Sequence, residues 1–196
     1  MIKKSILLVA SVILILSIGF VAAANVFIPK SDDPYMYVSL GDFLIENGYE
    51  KQGIAAYEKA LSLDQNNLAA LNNLGYYYKD TNPEIAEKYF LKTIDIKPDY
   101  EKGRSNLARL YNNLEEYSKA ADHLEILVLN NKQNIKYSYD LAINLANKFR
   151  YMSGNTDDLK KALSYFRKVY QLDPGFEHVL ENIGVLESIL ELNENT

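Results

Sequence analysis

Small residues recur along this chain at nearly constant spacing. Gly41, Gly75, Ala108 and Ala142 follow one another at steps of 34, 33 and 34 residues, and Gly184 comes 42 residues later. An internal period near 34 is typical of a repeat array in which each unit is a pair of helices. Because one such unit cannot bury its apolar face alone, neighbouring units stack into a solenoid with an extended surface. The period therefore predicts an all-α fold and favours binding over catalysis.

The first residues form a separate apolar segment. Lys3 and Lys4 precede a run from Ser5 to Ile28 that contains no charged residue. As a helix this run would extend about 36 Å, enough to cross the hydrocarbon core of a bilayer. Since positive charge lies on its N-terminal side, we expect the N-terminus in the cytoplasm and the repeats on the other side of the membrane.

Two interpretations of this segment stay open. It is either an uncleaved membrane anchor or a secretory signal that is cut near Ala24, at the end of the small residues Ala22-Ala23-Ala24. Apolar residues continue from Val26 to Ile28, beyond the alanines, and favour the anchor. The first interpretation predicts a membrane protein with an extracytoplasmic repeat domain. The second predicts a periplasmic or secreted protein.

Charge and cysteine content narrow the possible functions. The chain has 21 basic and 26 acidic residues, a net charge of −5 and no cysteine. Nucleic acid is not an expected partner, because phosphate contacts need clustered Lys and Arg. The lack of cysteine excludes disulfides and thiolate sites. His123 and His178 have no second histidine or helix-spaced pair of carboxylates beside them. We therefore predict no catalytic site, no metal, no cofactor and no enzymatic activity.

The units share a plan of apolar positions at helical spacing. In the first unit Tyr37, Leu40, Gly41 and Leu44 lie at i, i+3, i+4 and i+7, as in an amphipathic helix, and Asn47-Gly48 ends it. The same plan recurs along the chain. The predicted segments are an N-terminal anchor or signal at 1–28, a linker at 29–33, units at 34–67, 68–100, 101–134 and 135–176, and a capping helix with its tail at 177–196.

Several strings of these units resemble the tetratricopeptide repeat (TPR) family. The matching strings are SLG at 39–41 with AYEKALSLD at 56–64, NLGYY at 73–77 with AEKYF at 86–90, and ALSYF at 162–166 with LDP at 172–174. The resemblance covers residues 34 to about 190 and implies a right-handed superhelical solenoid of helix-turn-helix units. It also implies a non-catalytic scaffold or adaptor that binds a protein or peptide partner in a concave groove.

The resemblance further implies where a partner would bind. In TPR proteins the concave groove is lined mainly by residues of the first helix of each unit that lie off the core stripe. The corresponding residues here are Tyr35, Asp42, Asn72, Asn73, Tyr76, Lys102, Asn106, Arg109, Lys136, Tyr139, Asp140 and Ile143. Aromatic and amide side chains beside scattered cations suit an extended or helical peptide. We expect alanine at Tyr76, Asn106, Arg109 or Tyr139 to leave folding nearly intact.

The fourth unit is irregular. Equivalent positions of its two helices, Leu141 and Ala162, are 21 residues apart, eight more than in the first and third units. We therefore expect its first helix to run on past the usual turn. Phe149, Tyr151 and Met152 lie in this extension. They either form an apolar lip for a partner or pack against Leu159 and Leu163, and packing is the favoured interpretation.

The last predicted helix, from Glu177 to Leu192, covers the exposed end of the array. Its apolar positions are Leu180, Ile183, Gly184, Leu186 and Leu190. These features together predict an exported or membrane-anchored interaction module. The alternative is a soluble periplasmic or secreted accessory protein of an enzyme or transport system, released by signal cleavage.

Overall fold

A computed structural model describes residues 31–152 and 155–194 of the 196-residue chain. These residues form helices joined by short turns, and they contain no β-strand. The helices are α1 (Pro34–Glu46), α2 (Glu50–Leu63), α3 (Leu68–Tyr78), α4 (Pro83–Ile96), α5 (Glu101–Asn113), α6 (Tyr117–Asn130), α7 (Ile135–Tyr151), α8 (Thr156–Leu172) and α9 (Val179–Glu194). The prediction of an all-α fold built from helix pairs is confirmed.

The predicted N-terminal segment, residues 1–28, lies outside the described residues. None of the helices α1 to α9 combines the length and the apolar character that crossing a bilayer requires. These nine described helices all belong to one compact unit, Asp33–Thr196.

Polar side chains determine where several helices begin. Asp33 accepts a hydrogen bond of 2.9 Å from the amide of Tyr35, and Pro34 occupies the first helical position of α1. Because the first amides of a helix have no partner within the helix, such a cap stabilises the helix start by about 1 kcal/mol. The same kind of cap begins four more helices, through Asn67, Asn82, Asn134 and Asn155.

The periodic small residues allow close approach within a helix pair. A Cβ atom added at Gly41 would lie 2.4 Å from the ring of Tyr57 on α2, and one at Gly75 would lie 2.6 Å from the ring of Phe90 on α4. Each of these glycines therefore lets an aromatic ring of the second helix lie against the backbone of the first. The need for this close contact in each pair explains why a small residue recurs about every 34 positions.

Each helix from α1 to α8 packs against the next one along the chain. Buried apolar side chains form one cluster in α1 to α3, a second in α4 to α6 and a third in α5 to α9. Burial of each large apolar side chain contributes about 1.5–3 kcal/mol. Because these contacts join sequence neighbours, every pair depends on the adjacent pairs for its stability.

Helix α7 has 17 residues and ends at Tyr151, so it is longer than α1, α3 and α5, the first helices of the preceding pairs. Phe149 packs against the core cluster that contains Leu159 and Leu163, as predicted. Tyr151 and Met152 do not, because they are 60% and 46% exposed. The ring of Tyr151 stacks on Tyr117 of α6 at 5.7 Å. The extension of α7 thus turns toward the preceding pair, and the predicted contact of these two residues with α8 is wrong.

Helix α9 packs on α8, but two of its predicted core positions are wrong. Leu180 is 61% exposed, and a Cβ atom at Gly184 would meet nothing within 4 Å. Val179, Ile183 and Leu186 are buried instead. In α1 and α3 the side that carries the glycine packs on the second helix of the same pair. Among the described residues no helix packs on that side of α9, so Gly184 is open.

Candidate functional site

Side-chain hydrogen bonds join α1 to α3 and α3 to α5, the first helices of three successive pairs. Asp42 Oδ1 accepts hydrogen bonds from the hydroxyl of Tyr57 and from Asn73 Nδ2, both at 2.7 Å. Asn106 Nδ2 on α5 donates to Asn72 Oδ1 on α3 at 2.8 Å. These five residues, called the Asp42 network below, fix the first helices relative to one another.

Burial determines the electrostatics of the Asp42 network. Burial raises the pKa of the Tyr57 phenol, and its hydrogen bond to Asp42 raises that pKa further. The phenol therefore stays protonated and keeps donating to the carboxylate at physiological pH. Asn72 is only 8% exposed. Most of the polar groups of this network are used within the protein rather than offered to a ligand.

A cavity of about 180 Å³ lies between α5 and α7, the first helices of the third and fourth pairs. Its lining residues are Ser105, Ala108, Arg109 and Asn112 of α5, Leu124 of α6, and Lys136, Tyr137, Asp140, Ile143 and Asn144 of α7. This α5–α7 cavity is large enough for one side chain, since a cavity of about 150 Å³ holds benzene.

The α5–α7 cavity has one unpaired cation. Lys136 Nζ forms an ion pair of 3.1 Å with Asp140 Oδ2, one helical turn away. Arg109 is exposed and forms no hydrogen bond or ion pair with any residue that the structure describes. Because Lys136 and Asp140 offset each other, Arg109 makes the mouth of the cavity net positive.

The α5–α7 cavity also has an unsatisfied acceptor in its wall. Asn144 is 3% exposed, and its Nδ2 donates to the backbone carbonyl of Asp140 at 2.8 Å. This bond fixes the orientation of the amide, because a carbonyl accepts only from the NH₂ group. Asn144 Oδ1 is buried and has no partner among the described residues. A buried acceptor without a donor costs about 1–3 kcal/mol.

Comparison with known proteins identifies the repeat. Residues 34–67, which span α1 and α2, match the sequence profile of the tetratricopeptide repeat family. The family match covers this one pair of helices. No curated protein matches the sequence of the chain. TPR proteins are generally non-catalytic modules that bind protein or peptide partners.

Solved structures show the same fold. The crystal structure of the TPR protein YrrB is 24% identical, with a TM-score of 0.69 over 82% of this chain and 79% of that one. A crystal structure of MamA is 23% identical, with a TM-score of 0.68 over 83% of this chain and 85% of that one. MamA from Desulfovibrio magneticus RS-1 is 15% identical, with a TM-score of 0.69 over 83% and 88%. At these identities the likeness extends to the fold alone.

The TPR fold brings the predicted groove residues together in two places and leaves others apart. The Asp42 network contains Asp42, Asn72, Asn73 and Asn106. The α5–α7 cavity contains Arg109, Lys136, Asp140 and Ile143. Tyr35, Tyr76 and Lys102 are exposed and belong to neither place. The ring of Tyr76 lies under Lys79 Nζ, which is 4.6 Å from the ring centre.

The prediction that Tyr139 lies off the core of the TPR array is wrong. Its ring contacts Phe166 at 5.4 Å and Phe176 at 4.9 Å between ring centres, and Asn182 Nδ2 donates to its hydroxyl at 3.1 Å. These contacts come from α8, α9 and the loop between them, which cover this side of α7. Alanine at Tyr139 would therefore weaken the fold, and Asn106 also contributes to it through Asn72.

Sequence reasoning did not place Asn112, Tyr137 and Asn144 in the cavity wall. Asn112 follows Arg109 by three residues and Asn144 follows Asp140 by four, so helical spacing alone places each beside a predicted residue. Tyr137 donates to Glu101 Oε1 at 2.6 Å. Burial and this hydrogen bond raise the pKa of Tyr137 to about 12, so the phenol is a fixed donor.

His123 and His178, the two histidines of the chain, differ in their surroundings. His123 lies half-buried between α5 and α6, with its ring stacked on Tyr111 at 5.6 Å. Burial lowers the pKa of His123, and the neighbouring Arg104 lowers it further, so the ring is neutral at pH 7. His178 is exposed beside Glu181. The described residues contain no group of three or more His, Asp or Glu that could hold a metal ion.

Proposed function

We propose that this protein is a TPR interaction module that binds a peptide carrying a carboxylate along α5 and α7. The observation that carries the proposal is Arg109, an unpaired guanidinium at the mouth of the α5–α7 cavity. A guanidinium binds a carboxylate through two parallel hydrogen bonds. The chain as a whole has a net charge of −5, so its surface in general repels an acidic peptide. The positive site at Arg109 attracts an acidic segment locally.

The cavity offers suitable groups for the rest of the peptide. Its volume fits one side chain beside the carboxylate, and Leu124 and Ile143 supply apolar contacts. The amide of Asn112 has both a donor and an acceptor for a peptide backbone. YrrB is described as a TPR protein with an unusual peptide-binding site, which supports a peptide as the class of ligand.

The test is selection from a random peptide library displayed on phage, with the full-length protein as the target. We expect the selected peptides to be enriched in Asp or Glu. The substitution Arg109→Ala should weaken a selected peptide by about tenfold or more, since a hydrogen bond to a charged group contributes about 1.5–3 kcal/mol. Arg109→Lys should keep part of the affinity through its charge.

The matched control is Lys92→Ala, which removes an exposed cation from α4, outside the cavity. It should leave peptide binding unchanged. Selected peptides without acidic enrichment, or equal affinity for the wild-type protein and Arg109→Ala, would contradict the proposal. Equal melting temperatures of the three variants show that any loss of binding is not a loss of fold.

We also propose, from the sequence of residues 1–28, that the repeats act outside the cytoplasm. Lys3 and Lys4 before the uncharged run support this orientation. In intact cells with a permeabilised outer barrier, protease added from outside should digest the repeat domain. Digestion only after the cytoplasm is opened would overturn the proposal.

The mass of the mature protein distinguishes the two forms of this export. An unchanged mass indicates an anchored scaffold. A mass lower by residues 1–24 indicates a cleaved signal, and a soluble periplasmic or secreted accessory protein of an enzyme or transport system.

A further inference from the structure

Equivalent positions of three first helices have three different kinds of side chain. Tyr76 of α3, Arg109 of α5 and Ile143 of α7 follow one another at steps of 33 and 34 residues, the period of the array. Arg109 and Ile143 both line the α5–α7 cavity. On the other side of α5, Asn106 donates to Asn72 of α3 at 2.8 Å. Arg109 and Tyr76 lie one helical turn after these two asparagines. The three residues therefore form a row across the helices, called the groove row below.

Each position of the groove row favours a different group of a ligand. The ring of Tyr76 is 50% exposed, and Lys79 Nζ lies 4.6 Å from its centre on one face. Because a cation already covers that face, the other face favours an aromatic, aliphatic or proline side chain over a second cation. Arg109 favours a carboxylate. Ile143 packs against the core and forms, with Leu124, an apolar part of the cavity wall.

The step between neighbouring helices selects the conformation of the ligand. The axes of packed helices are about 8–10 Å apart. A polyproline II chain has three residues per turn and advances about 9.3 Å per turn, so residues three apart point to the same side and match this step. In a β-strand, residues on the same side are about 6.7 Å apart. In an α-helix, residues seven apart are about 10.5 Å apart, and the helix itself is about 10–12 Å wide.

We propose that the partner is a segment in polyproline II conformation whose acidic residue lies midway between two apolar residues. One apolar residue, three positions from the carboxylate, packs on Tyr76. The other, three positions away in the opposite direction, enters the α5–α7 cavity beside Ile143. This inference rests on the proposed contact between Arg109 and a carboxylate, and it adds the spacing and the conformation of the ligand.

Synthetic peptides test the spacing with the full-length protein. The probes are peptides of about fifteen residues, blocked at both ends, with glutamate fixed at the centre and the other positions randomised. Peptides retained by the immobilised protein should be enriched in apolar residues three positions before and after the glutamate. In a retained peptide, serine in place of either apolar residue should weaken binding about tenfold. Moving that residue to the second or the fourth position should have the same effect.

A substitution in the groove row tests which residue reads which end of the peptide. Tyr76→Ala should remove the apolar preference at one end and keep the preference at the other. The matched control is Tyr35→Ala, which removes a tyrosine of α1 that is 64% exposed and lies outside the groove row. It should keep both preferences. Equal melting temperatures of the two variants show that neither change in binding comes from a loss of fold.

The outcomes separate this inference from the proposed function. An apolar preference two or four positions from the glutamate indicates a β-strand, and one seven positions away indicates an α-helix. Either result would overturn the inference, as would equal binding by Tyr76→Ala and Tyr35→Ala. In these cases, a loss of affinity when glutamine replaces the central glutamate leaves the carboxylate site intact. If that replacement has no effect, both proposals are wrong, because the spacing is counted from the carboxylate.

Discussion

Removal of Glu177–Thr196 is expected to lower the melting temperature by about 10 °C, at about 2–4 °C per kcal/mol for a domain of this size. The deletion takes away the buried side chains Val179, Ile183 and Leu186. Each contributes about 1.5–3 kcal/mol through burial, and the side of α8 that they cover becomes exposed to water. Thermal unfolding followed by circular dichroism measures the change.

Two single substitutions in α9 control for the deletion. Ile183→Ala removes a buried side chain and should cost about 2–4 kcal/mol. Leu180→Ala removes one that is 61% exposed and should change the stability by at most about 0.5 kcal/mol. Equal effects of the two substitutions, or an unchanged melting temperature after the deletion, would show that α9 is not packed on the array as described.

Substitution of Gly103 by alanine is expected to cost about 3 kcal/mol, at the upper end of the range for overpacking. A Cβ atom there would lie 2.0 Å from Thr93 Oγ1 and 3.2 Å from Thr93 Cβ. Thr93 is fully buried in α4, and its hydroxyl donates to the Phe90 carbonyl at 2.7 Å, so it has little room to move. Chemical denaturation of both proteins measures the difference in unfolding free energy.

The control is Gly184→Ala, which adds the same atom to a helix where it meets nothing within 4 Å. It should be neutral or stabilise the fold by up to about 1 kcal/mol, because alanine is the better helix former. In a Thr93→Ala background the cost of Gly103→Ala should fall, with a coupling of about 0.5–3 kcal/mol. If Gly103→Ala and Gly184→Ala had the same effect, the contact between α4 and α5 would not be as close as the structure has it.

For the Asp42 network and the α5–α7 cavity, the sequence indicated which residues lie on the same side of the helices but not which of them have hydrogen-bond partners. Spacing identified Asn73 and Arg109 as residues of the same helical side. It could not tell that the amide of Asn73 is used by Asp42, 31 positions earlier, whereas Arg109 has no partner among the described residues. Hydrogen bonding between repeats depends on distances between helices, and a periodic pattern contains no such distances.

The sequence by itself determined the helix-pair fold, the turn at Asn47-Gly48 and the recurrence of small residues at Gly41 and Gly75. These features follow from local rules, because helical spacing, caps and small residues act within one pair of helices. Only the tertiary structure decided that Gly184 is open and that the partly buried Tyr139 packs against the core. Tyr139 is covered by Asn182, which is 43 residues away, and Gly184 has no second helix beside it in the described chain. Contacts between distant parts of the chain differ from one helix pair to the next, so residues with the same local pattern have different neighbours.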